Sequence, residues 1–140
     1  MNHLRRALFG CGLAAIAIVL VGGCEEGPGK AQPETHALNP PTWIHGTWGY
    51  CDPSPIEFYW NFSAHNIELR AGATVTDYRE QANSPGLTVT EDQGQDWYRF
   101  EVQRSDSTAI GSNRFVREGS RLRWTTSTGG TSSTLTICKI

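Results

Sequence analysis

The chain has 140 residues and a formal net charge of -2. A mildly acidic chain without a basic stripe is not built as a general nucleic-acid binder, and this length accommodates one modest domain.

Residues 1–23 read as an export signal. His3, Arg5 and Arg6 precede an uninterrupted apolar stretch from Ala7 to Val21, the charged and apolar regions of a secretory leader. A membrane-spanning helix needs about 20 apolar residues; this run is shorter and ends in Gly22-Gly23, so processing is expected rather than spanning. Val21-Gly22-Gly23-Cys24 resembles the bacterial lipobox. The resemblance implies that Cys24 becomes the acylated first residue of a lipoprotein, held to a membrane on the extracytoplasmic side of the cell envelope by acyl chains such as palmitate. Cys11 leaves with the leader. Cys51 and Cys138 then remain, and an even pair in an exported domain reads as a disulfide.

Residues 24–41 shift to Glu25-Glu26-Gly27-Pro28-Gly29, then Pro33, Pro40 and Pro41, and read as a flexible tether. From Thr42 the period becomes two, so 42–140 is expected to form one β-rich domain. Ile56, Phe58, Trp60 and Phe62 alternate with Glu57, Tyr59 and Asn61, giving the clearest strand. Ile67 to Ala71, Thr74 to Tyr78 and Leu87 to Thr90 follow. Gln93 to Asp96 reads as a turn into a strand from Trp97 to Gln103. Asn113 to Arg117 is a weaker strand, and Arg121 to Thr126 and Thr134 to Cys138 flank a hairpin at Thr128-Gly129-Gly130-Thr131. No window of useful length has apolar residues at helical spacing. The expected fold is all-β: a small up-and-down barrel or a sandwich of seven or eight short antiparallel strands with one disulfide.

Cys51 and Cys138 both have the parity opposite to their strands' apolar residues, as an outer bridge between neighbouring first and last strands requires. Both also stand near strand ends. An even antiparallel circuit would hold those ends apart, so either the strand count is odd, or pairing starts near Trp48, or pairing continues through Pro53 and Pro55.

Ile44-His45-Gly46-Thr47-Trp48-Gly49-Tyr50 resembles the Gly-X-Trp opening of lipocalin-like barrels. The resemblance implies that Trp48 closes one barrel end, with a basic side chain near the last strand packed over its indole. Arg121, Arg123 and Lys139 are placed to supply that cation, and Arg121 or Arg123 is the expected one. It also implies a cupped barrel that binds a small apolar molecule or a protein. Trp48-Gly49-Tyr50-Cys51 with the late Cys138 resembles, in layout, the small lipid-anchored lysozyme inhibitors of bacteria. Their Ser-Gly inhibitory loop has no counterpart, since Ser84-Pro85-Gly86 lacks flanking aromatic and basic residues.

His36, His45 and His65 lack metal-ligand spacing. Glu91, Asp92 and Asp96 lack the ligand pattern of a calcium loop. Asp77 with Glu80 and Glu57 with Glu68 are the carboxylate pairs available for acid-base work, but spacing alone supplies no catalytic geometry. No metal or other cofactor is expected, and the reading is non-enzymatic. Trp48, Phe58 and Trp60 are the candidate pocket residues, and Arg121 with Arg123 a basic stripe for an acidic partner or polysaccharide. The expected function is a lipid-anchored envelope module binding a small apolar ligand or a protein; the alternative is an inhibitor or immunity-type protein that blocks a secreted enzyme such as a lysozyme. A pocket lined by Trp48, Phe58 and Trp60 favours the ligand, whereas a filled core with one protruding loop favours the inhibitor.

Overall fold

The computed structural model describes residues 36–140. The leader 1–23, Cys24 and the tether as far as residue 35 lie outside the described residues. Nine antiparallel strands follow: β1 Gly46–Tyr50, β2 Phe58–Phe62, β3 Ile67–Ala71, β4 Thr74–Asp77, β5 Leu87–Gln93, β6 Trp97–Arg104, β7 Ile110–Glu118, β8 Arg121–Thr128 and β9 Thr131–Lys139. A 3-10 turn at Thr42–Ile44 precedes β1, and one helix, α1 Tyr78–Ala82, separates β4 from β5. The strands form one sheet, ordered β4-β3-β2-β1-β9-β8-β7-β6-β5, curled into a half-barrel rather than split into a sandwich. Nine exceeds the expected seven or eight because every expected run forms a strand of its own, including Thr74–Asp77, which pairs fully with β3, and the weak run at 113–117, which grows to nine residues.

The first and last strands meet only at their C-terminal ends. Trp48 pairs with Lys139, Gly49 with Cys138 and Tyr50 with Ile137. Pairing thus begins at Trp48 and the strand count is odd, two of the three arrangements open to the sequence. The stagger brings the cysteines together across the seam, with Cα atoms 4.8 Å apart in a Cys51–Cys138 disulfide. Closing a loop over a separation of 87 residues contributes about 4 to 5 kcal/mol in the chain-entropy account. β4 and β5 are the sheet's two edges and run in the same direction, so α1 carries the chain back from the end of one to the start of the other. Asp77 caps that helix by accepting from the Glu80 amide at 2.8 Å. The strand expected over Thr74 to Tyr78 therefore stops at Asp77, because an Asp followed three residues later by a Glu is a helix start.

Inward parity builds an aromatic core. Trp60, Phe62, Tyr98, Phe100 and Phe115 are fully buried or nearly so. Phe115 meets Trp60 edge-to-face at 5.2 Å and Phe62 at 5.0 Å, the arrangement that aromatic quadrupoles favour. Ile56 departs from the alternation that begins at Phe58. It lies in the proline-containing loop before β2 and is 62% exposed.

The packed chain begins before Thr42. Leu38 is fully buried in the core, the Asn39 amide donates to Glu91 at 2.9 Å, and His36 and Asn83 exchange hydrogen bonds of 2.7 and 3.0 Å. Residues 36–41 are thus a strap tied to α1 and β5, not part of the tether. One leucine among prolines shows no period, so its burial left no pattern to read.

At the Trp48 end, the indole Nε1 donates to the Ile44 carbonyl at 2.7 Å, and Lys139 Nζ stands 5.7 Å from the ring centroid. The cation is Lys139 rather than Arg121 or Arg123, and register is the reason: Lys139 is the direct cross-strand partner of Trp48 and shares its face. Arg121 and Arg123 lie opposite Cys138 and Thr136 on the outer face, and Arg123 pairs with Glu118 at 3.1 Å. Gly46 has a φ of +116°, and a Cβ there would lie 2.9 Å from Lys139 Cε. A side chain at this position would both strain the backbone and displace the lysine stem.

Leu38→Ala is expected to cost about 2 to 5 kcal/mol in denaturant unfolding because it opens a core cavity; a cost near zero would show that the strap does not belong to the folded unit. Lys139→Ala should cost about 0.5 to 1 kcal/mol, and the cycle with Trp48→Ala should be non-additive. Additivity in that cycle, with coupling found instead for Arg121 or Arg123, would contradict the observed register.

Candidate functional site

Two concavities lie on either side of one aromatic pair. Phe58 and Trp124 stack with centroids 5.4 Å apart and planes inclined by 26°. Phe58 lines a groove beside the β1–β2 loop, and Trp124 lines a cleft on the concave face of the sheet.

The groove, of about 490 Å³, is bounded by residues 50–54 and 56–59 together with Ile140. Its loop is constrained at several points. The disulfide holds Cys51, Pro53 and Pro55 restrict φ, the Ile56 amide donates to Ser54 Oγ at 3.2 Å, and the Gly72 amide donates to the Glu57 carbonyl at 2.7 Å. Arg70 approaches the Glu57 carboxylate at 3.4 Å. On this framework Ile56 and Ile140 are 62% and 68% exposed, with half-buried Tyr50 and Phe58 behind them. Two large aliphatic side chains held in water at one rim form an apolar contact surface.

The cleft, of about 370 Å³, is enclosed by Leu69, Tyr78, Gln81, Val102, Gly111, Asn113, Trp124, Thr126 and Thr128. Asn113 is 8% exposed, and its Oδ1 accepts from Trp124 Nε1 at 3.0 Å.

The pocket expected from Trp48, Phe58 and Trp60 does not form. Trp60 is fully buried and Trp48 is 5% exposed, both in the core, so Phe58 alone reaches a surface concavity. Arg121 and Arg123 are exposed on the outer face, away from both concavities. Three of the four nominated carboxylates have structural partners. Asp77 caps α1, Glu57 faces Arg70, and Glu68 accepts from Asn61 at 3.1 Å. Glu91, expected in a solvated turn, accepts from the Tyr98 hydroxyl and the Asn39 amide. His45 Nε2 lies 2.9 Å from the Pro40 carbonyl oxygen, and His36 and His65 are exposed. Among the described residues no group of three His, Cys, Asp or Glu is placed to hold a metal ion.

Asn113, Thr126 and Thr128 were missed as cleft residues, although a signal existed. Asn113 shares the parity of Phe115, and the two threonines that of Leu122 and Trp124, so all three are polar residues on the inward face of the sheet. Comparison of the chain with protein-family models, with curated proteins and with solved structures gives no match.

Two buried phenols give this region a pH dependence. Tyr78 stacks on Trp60 at 5.7 Å and meets Phe100 at 4.6 Å, and burial pushes its pKa up to about 12. Tyr98 is raised further, by burial first and then by its hydrogen bond to Glu91 and that carboxylate's charge. Above pH 10 the unfolded tyrosines ionise while the folded ones keep their protons. The unfolded state then binds fewer protons, and stability falls as pH rises. Urea unfolding between pH 10 and 12 should show Tyr78 contributing a loss of about 1.4 kcal/mol per pH unit. Tyr78→Phe should remove that part of the slope; an unchanged slope would mean that Tyr78 ionises as freely in the folded protein as in the unfolded one.

Proposed function

We propose that the protein is a lipid-anchored binding module of the cell envelope, held through acyl chains on Cys24, that contacts a protein partner with the 51–57 loop and the groove beside it. The observation that carries this reading is the contrast between a filled interior and an apolar rim. Trp60, Phe100 and Phe115 occupy the space that a ligand chamber would need, while Ile56 and Ile140 stay exposed beside the disulfide. The filled interior speaks against a small apolar molecule held inside the barrel. The Trp48 end, with Gly46 and Lys139, supports the lipocalin-like reading of the scaffold but leaves recognition to other surfaces.

The contact is apolar at its centre, with Asp52 and the Glu57–Arg70 ion pair at its edge. The matching partner surface is an apolar depression with a basic group opposite Asp52. Eleven residues, 25–35, separate Cys24 from His36. At about 3.5 Å each when extended, they keep the domain within roughly 40 Å of the bilayer, so the partner is an envelope protein near that membrane.

The inhibitor reading gains from the same loop. Two prolines and a disulfide within seven residues pre-organise it, and rigid loops retain more of their contact energy as affinity. Three of the four carboxylates nominated for catalysis, Asp77, Glu57 and Glu68, are taken up by capping, ion pairing and hydrogen bonding, which supports a non-enzymatic role.

A photo-crosslinker placed at Ser54 in the membrane-anchored protein should give one discrete protein adduct in intact cells, and the same probe at Thr134 on the outer face should not. Ile56→Asp should abolish the adduct while leaving the unfolding midpoint within about 0.5 kcal/mol of the parent. An adduct unaffected by Ile56→Asp, or formed only from Thr134, would place the contact elsewhere.

A further inference from the structure

We propose that the concave cleft is a second binding site, independent of the loop, for an uncharged sugar ring bearing an acylated amine. Its walls come from β3, β6, β7, β8 and α1, and no residue lining it carries a charge. A charged ligand would lose hydration there without gaining a counter-charge. The volume of about 370 Å³ lies near the lower end of the range for small-molecule sites, roughly 300 to 1,000 Å³, and suits one ring with a short substituent.

Asn113 gives the site its polarity. The indole N–H of Trp124 is a donor only, so the Asn113 atom facing it at 3.0 Å must be the carbonyl oxygen. That fixes the amide, leaving Nδ2 with two donors and, among the described residues, no acceptor. The side chain is more than nine-tenths buried and lines the cleft. Nδ2 is not among the fully buried polar atoms that lack a partner, so it opens onto the cleft, where a ligand carbonyl takes the place of water as its acceptor. Leu69 and Val102 give an apolar surface for the methyl of an acetyl group, while half-buried Gln81 and Thr126 line the same cleft and offer polar groups to ring hydroxyls. This pairing of one carbonyl acceptor with a methyl and several hydroxyls is the chemistry of an N-acetylhexosamine.

Gly111 lets the cleft be closed without disturbing the fold. A Cβ there would meet only the Val102 carbonyl oxygen at 3.7 Å and Thr128 Oγ1 at 3.8 Å, ordinary contact distances, and valine suits a strand. The test titrates detergent-solubilised full-length protein with N-acetylglucosamine and follows the Trp124 indole N–H resonance. A saturable shift is expected. Glucosamine, the same ring with a protonated amine, should bind at least about tenfold more weakly, a difference of roughly 1.4 kcal/mol. Gly111→Val should lose binding with the remaining indole resonances unmoved. Asn113→Asp keeps an acceptor for Trp124 but removes the donors, and should weaken binding by a similar factor. No saturable shift up to the solubility of the sugar, equal binding of glucosamine, or undiminished binding in both variants would overturn the proposal.

Discussion

The three-residue seam between β1 and β9 is the constraint on which the rest of the structure depends. Overlap limited to the C-terminal ends of both strands places Lys139 beside Trp48 and Cys138 within reach of Cys51. The same stagger leaves the long hairpins of β6 to β9 extending beyond the short strands β1 to β4. A register shift of one residue would turn Lys139 outward and Cys138 inward, removing the cation from the indole and the bridge from the seam together. The disulfide locks that register as well as restricting the unfolded chain.

The strands were legible because one face of the sheet is buried and the other is not. Phe58, Trp60 and Phe62 write that difference into five residues, and the paired glycines at 129 and 130, both with positive φ, mark the last hairpin. What escaped was encoded in single residues. α1 is too short for a helical period, although Asp77 and Glu80 were visible as a cap and were weighed instead as a carboxylate pair. The strap depends on Leu38, a lone apolar side chain among prolines. Choosing Lys139 over the two arginines required the register between the first and last strands, which periodicity within each strand does not contain.

The candidate site was less legible than the fold for a related reason. Trp48, Phe58 and Trp60 were expected at a pocket, yet in a domain of this size most aromatic side chains are needed to fill the interior. Trp60 alone meets five aromatic neighbours. Recognition falls to what the core leaves over: aliphatic residues in a proline-stiffened loop, and polar residues at inward positions near the mouth of the sheet. The second group is the more informative, since an asparagine on the core face costs stability unless its hydrogen bonds are met.

The strap and α1 show how the fold tolerates an open side. An exposed sheet edge invites pairing with another chain, and this half-barrel has two, β4 and β5, facing a gap. β4 is only four residues long and passes directly into α1, which packs against β5, while the strap bonds to Glu91 on that strand. Each edge is therefore short or covered. Because α1 also contributes Tyr78 and Gln81 to the concave cleft, the element that fills the gap forms one wall of the cleft. A continuous tenth strand would have closed the sheet, but it would have replaced an amide and a phenol on a helix with the alternating face of another strand. The incomplete barrel thus gains a cleft wall at the place where its sheet stops.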